Sequence, residues 1–299
     1  MRLLFVVNPI SGGIAKADIV DKIRTFCLQK IYNADFYFTE GTEQDKFEVN
    51  RRIWSNTYDA IVAVGGDGTV NLVGKQLIGK KIPLAIVPVG SGNGLSKDLG
   101  LPQDPAEALE IISKYNVQRV DTLSVNDAPV LHLADLGFNA LIVSRFHESE
   151  TLRGTSGYAW HLLREYMTYE AARYTIMVEN EASFGLRAFM VTIANGNAFG
   201  SNLRINPYGK PNDGLFELCI LEEFPKTTGV NILYQLFDDG ITDSSYAHVI
   251  SCSHARIVNV DNADFQIDGE TQKHSPDFLD IYIRPESLPI LINPAPVLG

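Results

Sequence analysis

Cysteine is scarce, and the little there is falls in no pattern. Cys27, Cys219 and Cys252 are the only three in 299 residues, odd in number and far apart. That excludes a disulfide framework and a cysteine-based zinc site, and buried free thiols in a reducing cytoplasm are expected. Long hydrophobic runs are missing too; none approaches the roughly 20 residues that span a bilayer. No signal peptide precedes the first apolar run, since Met1-Arg2 leads straight into it, so the expected location is cytoplasmic. Basic charge is in deficit, with 25 Lys and Arg against 36 Asp and Glu and a net charge of −11. Nucleic-acid binding needs a basic stripe, and permanent docking on an anionic bilayer needs a polybasic surface; only a transient membrane contact remains. The six histidines, His132, His147, His161, His248, His254 and His274, show no metal-ligand spacing. No nucleophile elbow marks a serine hydrolase, and no repeat period suggests a solenoid or propeller. With 45% hydrophobic and 20% charged residues, the chain reads as globular and long enough for two domains.

What is present is organised around Gly65-Gly66-Asp67-Gly68-Thr69-Val70-Asn71. The apolar run Ala60–Val64 before it reads as a buried parallel strand, and Val70–Ile78 after it has helical spacing. The glycines therefore occupy a strand-to-helix turn at the carboxyl edge of a sheet, where open α/β sheets bind ligands. Positions without side chains let backbone N–H groups approach a polyphosphate, and the helix N-terminus favours negative charge. Asp67 is the odd residue there. A carboxylate among phosphate-facing amides is repulsive unless a divalent cation or an attacking hydroxyl lies between them. A tight turn with a solvent-facing aspartate is the competing explanation.

Along the chain, Leu3–Val7 is a first strand, ended by the turn Asn8-Pro9-Ile10-Ser11-Gly12-Gly13. Ile19, Ile23, Phe26, Cys27 and Lys30 follow at helical spacing, then a strand at Asp35–Thr39 and a helix at Glu43–Asn56. A strand at Ile82–Val87 closes in a second glycine loop, Pro88-Val89-Gly90-Ser91-Gly92-Asn93, and Leu101–Asn116 forms a last helix. This rhythm predicts a doubly wound, parallel-sheet α/β domain over residues 1–120. From there to residue 287, apolar alternation predicts an antiparallel, sandwich-like β domain, with strands at Tyr174–Val178, Phe189–Ile193, Phe216–Leu221, Ala255–Val260 and Phe265–Ile267. Tyr158–Arg173 and Gly229–Phe237 are its helical candidates.

These motifs, in this order, resemble the lipid kinases typified by the diacylglycerol kinase catalytic domain, with sphingosine, ceramide and bacterial lipid kinases among them. The resemblance rests on Asn8-Pro9-x-Ser11-Gly12, Gly65-Gly66-Asp67-Gly68-Thr69-x-Asn71, Gly90-Ser91-Gly92-Asn93, Asp213-Gly214-Leu215 and Asp268-Gly269-Glu270. It implies ATP in a crevice between the two domains, a lipid hydroxyl as phosphoryl acceptor, and a return of residues 288–299 to the first domain along the proline-rich Pro285–Pro296. It implies a lipid substrate presented at a membrane, and a homodimer is compatible with it. Asn93 is followed by Gly94-Leu95 and the family's Gly-Phe-Asp-Ala is Gly137-Phe138-Asn139-Ala140 here, which leaves the lipid open between a diacylglycerol and a sphingoid type.

On this resemblance each residue has an expected role. Amides of Gly65, Gly66, Gly68 and Gly90 and hydroxyls of Thr69 and Ser91 hold phosphates, and Asn8, Ser11 and Thr39 line the nucleotide. Asp67 holds Mg²⁺ or orients the acceptor hydroxyl. Glu270 is the candidate base, with Asp268, two residues away on a strand end, beside it as a metal ligand. Asp213 with the carbonyls of Lys210 and Leu215 matches a structural cation site. Asp135, in the apolar run Leu131–Leu136, resembles a lipid head-group contact. Tyr158–Tyr169 is an acyl-channel candidate, although a core-facing helix explains it as well. Ordinary turns explain Asp213 and Asp268-Gly269-Glu270 too. The alternatives in function are an NAD kinase and a non-catalytic nucleotide-binding regulator.

Overall fold

The structure, a computed structural model, describes residues 1–9, 16–148, 163–179, 182–196, 205–206, 209–237 and 244–293. Ser11, Gly12, the 158–162 part of the acyl-channel stretch and residues 294–299 lie outside the described residues. By its contacts the chain divides into two units, Met1–Thr122 with Pro285 onward, and Leu123–Arg284.

The first unit begins with β1 (Arg2–Val7), α1 (Lys16–Lys30), β2 (Asn33–Phe38), α2 (Glu43–Ser55) and β3 (Ala60–Gly65). It continues with α3 (Asp67–Leu77), β4 (Leu84–Pro88), α4 (Gly94–Asp98) and α5 (Pro105–Lys114). β1 pairs parallel with both β2 and β3, and β3 pairs parallel with β4. The sheet order is thus β2-β1-β3-β4, and the winding reverses between β1 and β3. The apolar runs that made these strands recognisable are fully buried: Leu3, Phe5, Val62, Val64 and Val87 meet Ile19, Ile23, Leu109 and Ile112 from the helices in one core. Such continuous apolar strands need cover on both faces, which the helices supply.

The second unit is antiparallel. Its strands are β5 (Val117–Val125, shared with the first unit), β6 (Ala128–Val130), β7 (Leu133–Gly137), β8 (Ala172–Val178) and β9 (Phe184–Ala194). α6 (Phe138–Glu148) follows β7, and β10 (Phe216–Glu222), β11 (Ala247–Cys252), β12 (His254–Asn259), β13 (Phe265–Ile267) and β14 (Glu270–Thr271) come next. Long β9 pairs with β7, β8 and β10, and β13 lies between β7 and β14. The helix Gly229–Phe237 has the bounds its spacing suggested. The helix expected over Tyr158–Arg173 does not reach its C-terminal bound. β8 starts at Ala172, because Ala172–Val178 alternates buried and outward positions with the period of a strand.

β15 (Phe278–Leu291) is one 14-residue strand. It pairs antiparallel with β12 at its start and parallel with β4 through Ile290 and Leu84. Glu286 has φ +49°, and its N–H donates to Asp121 at 2.7 Å, which fixes the bend after Pro285. Cys27, Cys219 and Cys252 are buried free thiols, and among the described residues no helix is long and apolar enough to cross a membrane.

The loop after β2 is held by Asp45, 3% exposed, near the start of α2. Its carboxylate accepts from the Tyr37 hydroxyl at 2.6 Å and from the N–H groups of Glu40, Gly41 and Thr42, the shortest at 2.8 Å. Burial alone pushes this carboxyl up, but the Tyr37 hydroxyl and the three backbone donors outweigh it and hold the pKa below its ordinary value. A depressed folded-state pKa stabilises the fold above the unfolded value and loses that stabilisation as pH falls. Asp45→Asn should therefore cost about 1–3 kcal/mol in urea unfolding at neutral pH. Its deficit against wild type should shrink once the pH drops below about 4. A deficit that stays constant from pH 7 to pH 3 would show that charge plays no part.

Candidate functional site

Two loops leave the carboxyl ends of adjacent strands, the glycine turn after β3 and Val89–Asn93 after β4. They touch through backbone. A Cβ on Gly90 would lie 2.4 Å from the Gly66 Cα, and a Cβ on Gly66 3.2 Å from the Gly90 Cα. The Val89 N–H donates to the Gly65 carbonyl at 3.0 Å, extending the ladder into the loops. Gly65 lacks a side chain for another reason: a Cβ there would fall 2.1 Å from Thr69 Oγ1, so the Thr69 side chain fills that space and is 4% exposed.

Gly68 behaves differently. Among the described residues a Cβ on it would meet nothing within 4 Å, and its φ is not positive. In the first turn of α3 a glycine costs about 1 kcal/mol relative to alanine and here relieves no clash with a described residue. Space is kept open at a helix start whose Asp67 and Gly68 amides have no partner within the helix. Asp67 sits in that turn, half-buried, with its Oδ2 2.9 Å from where a Gly92 Cβ would be, so it faces the second loop.

Asn93 fixes the second loop in the left-handed region, φ +56°. Its Oδ1 accepts from the Gly90 N–H at 3.1 Å and its Nδ2 donates to the Gly90 carbonyl at 2.9 Å. The Gly90 amide expected to hold phosphate is thus engaged by Asn93, a residue whose clamping role the motif alone did not disclose. Ser91 is exposed. Asn8, whose N–H donates to the Val64 carbonyl at 3.0 Å, ends β1 beside the glycine turn, on the side where the winding reverses. Thr39, 8% exposed, donates its N–H to Val7 at 2.9 Å and ends β2. The expected nucleotide-side residues that are described therefore all stand at the carboxyl ends of four neighbouring parallel strands or in the loops just beyond them, the position at which such sheets bind ligands.

The expected acceptor-side residues lie in the second unit. Asp268 and Gly269 are the two central residues of the hairpin joining β13 to β14, with φ +51° and +84°, as a type I′ turn requires. The expectation that Asp268 and Glu270 share one face of a regular strand is therefore corrected, because the strand ends at Ile267. Asp268 accepts from the N–H groups of Leu131, His132 and Leu133, at 2.9 Å for His132, which pins the turn to the start of β7. Any cation there would compete with three backbone donors. Glu270 follows the turn with an exposed side chain.

Asp135 is completely buried. Its carboxylate accepts from Thr192 and Gln266 and, at 2.7 Å, from Asn139. Burial pushes its pKa up to about 6 against the pull of these donors. The residue that stands where the family has aspartate, Asn139, is thus a donor to this carboxylate. Asp213 is exposed and accepts from the Leu215 N–H at 3.1 Å, a local turn contact. Beside it opens a cavity of about 440 Å³, lined by Lys210, Asp213 and Leu215 and also by Asn206, Glu217 and Ser251. Glu217 accepts from Asn206 at 2.6 Å and from Ser251 at 3.1 Å, and burial raises its pKa. The described part of the Tyr158–Tyr169 stretch places Tyr166 and Tyr169 in an aromatic cluster with Phe138, Phe189 and Phe224, while Leu163 and Met167 are exposed.

Comparison with known proteins bears on the fold and the family. Residues 2–125 match the diacylglycerol kinase catalytic domain, and residues 133–292 match the YegS C-terminal NAD kinase beta sandwich-like domain. The chain is 32% identical over 184 residues to a protein of Chromohalobacter salexigens named probable lipid kinase YegS-like, covering 60% of this chain and 58% of that one. It is 28% identical over 250 residues to an uncharacterized Synechocystis protein, covering 79% of this chain and 57% of that one. The chain thus spans less than two thirds of the length of these relatives. A crystal structure of a diacylglycerol kinase from Bacillus anthracis superposes with a TM-score of 0.77 at 22% identity, covering 99% of this chain and 98% of that one, a likeness of fold. One model takes in the two glycine loops and the other more than half of the chain, so the chain belongs to the diacylglycerol kinase catalytic-domain family, a family of lipid kinases.

Proposed function

We propose that this protein transfers the γ-phosphoryl group of ATP to the hydroxyl of a lipid presented at a membrane surface. The observation that carries the nucleotide half is Gly68, a glycine that relieves no clash with any described residue, at the start of a helix. A phosphate chain approaching the Asp67 and Gly68 amides accounts for it. The fit with Mg²⁺ rests on Asp67, a half-buried carboxylate turned toward the second glycine loop, because negative charge beside bound phosphates is tolerable only with a cation or a proton between them. A bound Mg²⁺ would supply neutralisation of phosphate charge there. The acceptor half rests on Glu270, exposed at the end of a turn anchored at both its central residues, which receives or positions the hydroxyl proton. Such a carboxylate need not be strongly basic, because a loose transition state releases that proton late. Asp268 then serves mainly to hold the turn, and Asp135 acts on the lipid side from inside the fold. A cation held by Asp213 and the carbonyls of Lys210 and Leu215 belongs to the same reading as a structural ion.

The direct test is incubation of purified protein with labelled ATP and Mg²⁺ against diacylglycerol, sphingoid bases, ceramide and NAD. Label should enter a lipid; label in NADP alone would make the chain an NAD kinase, and ATP binding without transfer a regulator. Asp67→Asn should lose phosphoryl transfer while keeping its melting temperature, and near-normal turnover would remove Asp67 from the mechanism. Glu270→Gln should lower kcat by roughly 10²–10⁴-fold with little change in ATP affinity. Loss of ATP binding at unchanged single-turnover rate would instead move Glu270 to the nucleotide side.

A further inference from the structure

Three neighbouring strands set one polar residue each side by side. Asp135 on β7 is directly opposite Thr192 on β9 and Gln266 on β13. Directly paired residues project from the same face of a sheet, so the register itself brings the three side chains together. All three are buried, Gln266 to 1% exposure. A primary amide at such a site must satisfy both its ends. Gln266 does so in two directions: Nε2 donates to the Asp135 carboxylate, and Oε1 accepts from the Gly269 N–H at 2.6 Å. The chemistry of the partners fixes the orientation of the amide, since a carboxylate in this setting accepts and an N–H can only donate.

We infer that Gln266 is a positioning residue for phosphoryl transfer, tying the buried Asp135 to the Gly269 amide and so setting the direction in which Glu270 leaves the turn. The proposal rests on the reading of Glu270 as the acceptor-side base. Asp268 already pins the first half of the turn through the N–H groups of residues 131–133, and the pairing of Glu270 with Ile267 closes it, which leaves the tilt of the Gly269 peptide between them to be set. Glycine is the residue with the widest choice of backbone angles, so an unanchored Gly269 peptide would tilt and re-aim the Glu270 side chain. The Gln266 side chain is the anchor. Asp135, held also by Asn139 and Thr192, gives that amide a fixed point to pull against.

The test combines Gln266→Leu, which keeps the bulk and removes both hydrogen bonds, with Glu270→Gln. Gln266→Leu should lower kcat about 10–100-fold, the scale of a misaimed reacting group, with an unchanged KM for ATP. In the Glu270→Gln background it should cost nothing further, because the group it aims is already disabled. Residue-resolved hydrogen exchange should show the Gly269 amide losing protection tenfold or more in Gln266→Leu while the Leu131–Leu133 amides stay protected. Losses that multiply in the double variant, or Gly269 protection equal to wild type, would overturn the role of Gln266. Wild-type turnover in Glu270→Gln alone would instead overturn the reading of Glu270, and the exchange experiment keeps the two failures apart.

Discussion

The arrangement of the first unit depends on a single approach of backbone to backbone, between Gly66 and Gly90. Two parallel strands about 4.8 Å apart send their chains out at the same edge, and both chains must turn at once. A side chain on either residue would force the loops apart and widen the space above the sheet. With none, the start of α3 and the second loop close on each other, and Asp67 is brought over Gly92. Asn93 then locks the second loop by bonding both polar groups of the Gly90 peptide. The placement of the Asp67 and Gly68 amides and of the Asp67 carboxylate follows from that contact and from the reversal of winding beside it.

The second unit solves a different problem, the burial of a carboxylate in an antiparallel sheet. An isolated charge there would be strongly disfavoured, and the raised pKa of Asp135 records the residual strain of its position. Side-chain amides and a hydroxyl from three elements meet the charge, and His132 adds an electrostatic pull. The three donors soften the penalty, and each of them is thereby oriented. Burial cost is converted into directional constraint on its neighbours.

Much of this was legible in the chain, and for local reasons. Leu3–Val7 and Ala60–Val64 are strands because nothing polar interrupts them, and the glycine spacing at residues 65–68 can serve few purposes after such a run. The return of the C-terminal stretch came only from the family resemblance, which its prolines suit without showing it. What could not be read depended on partners far away in sequence. Asp268 looked like a ligand or a turn residue; its bonds to residues 131–133 need the register of β13 against β7. Gln266 sits in the short run Phe265-Gln266-Ile267, where a polar residue reads as solvent-facing, although its face of the strand is buried. A polar residue at the centre of each of two short apolar strands, Asp135 and Gln266, was the one available signal. Asn93 lay inside a recognised motif, but its clamp on Gly90 depends on a left-handed backbone that residue type only permits.

The first unit is completed by chain made well after its own strands and helices. Leu291 belongs to its core, Ile290 lies along Leu84, and Asn293 accepts from Lys114 at 3.1 Å. During synthesis at about 5–20 residues per second, the ribosome reaches Pro285 on the order of ten seconds or more after Thr122 has emerged. Through that interval β4 has an unpaired edge and α5 an incompletely covered face. The first unit must therefore wait, part-assembled, while the whole β-rich unit is translated. Fragments cut short before Pro285 by interrupted translation would lack a complete first unit.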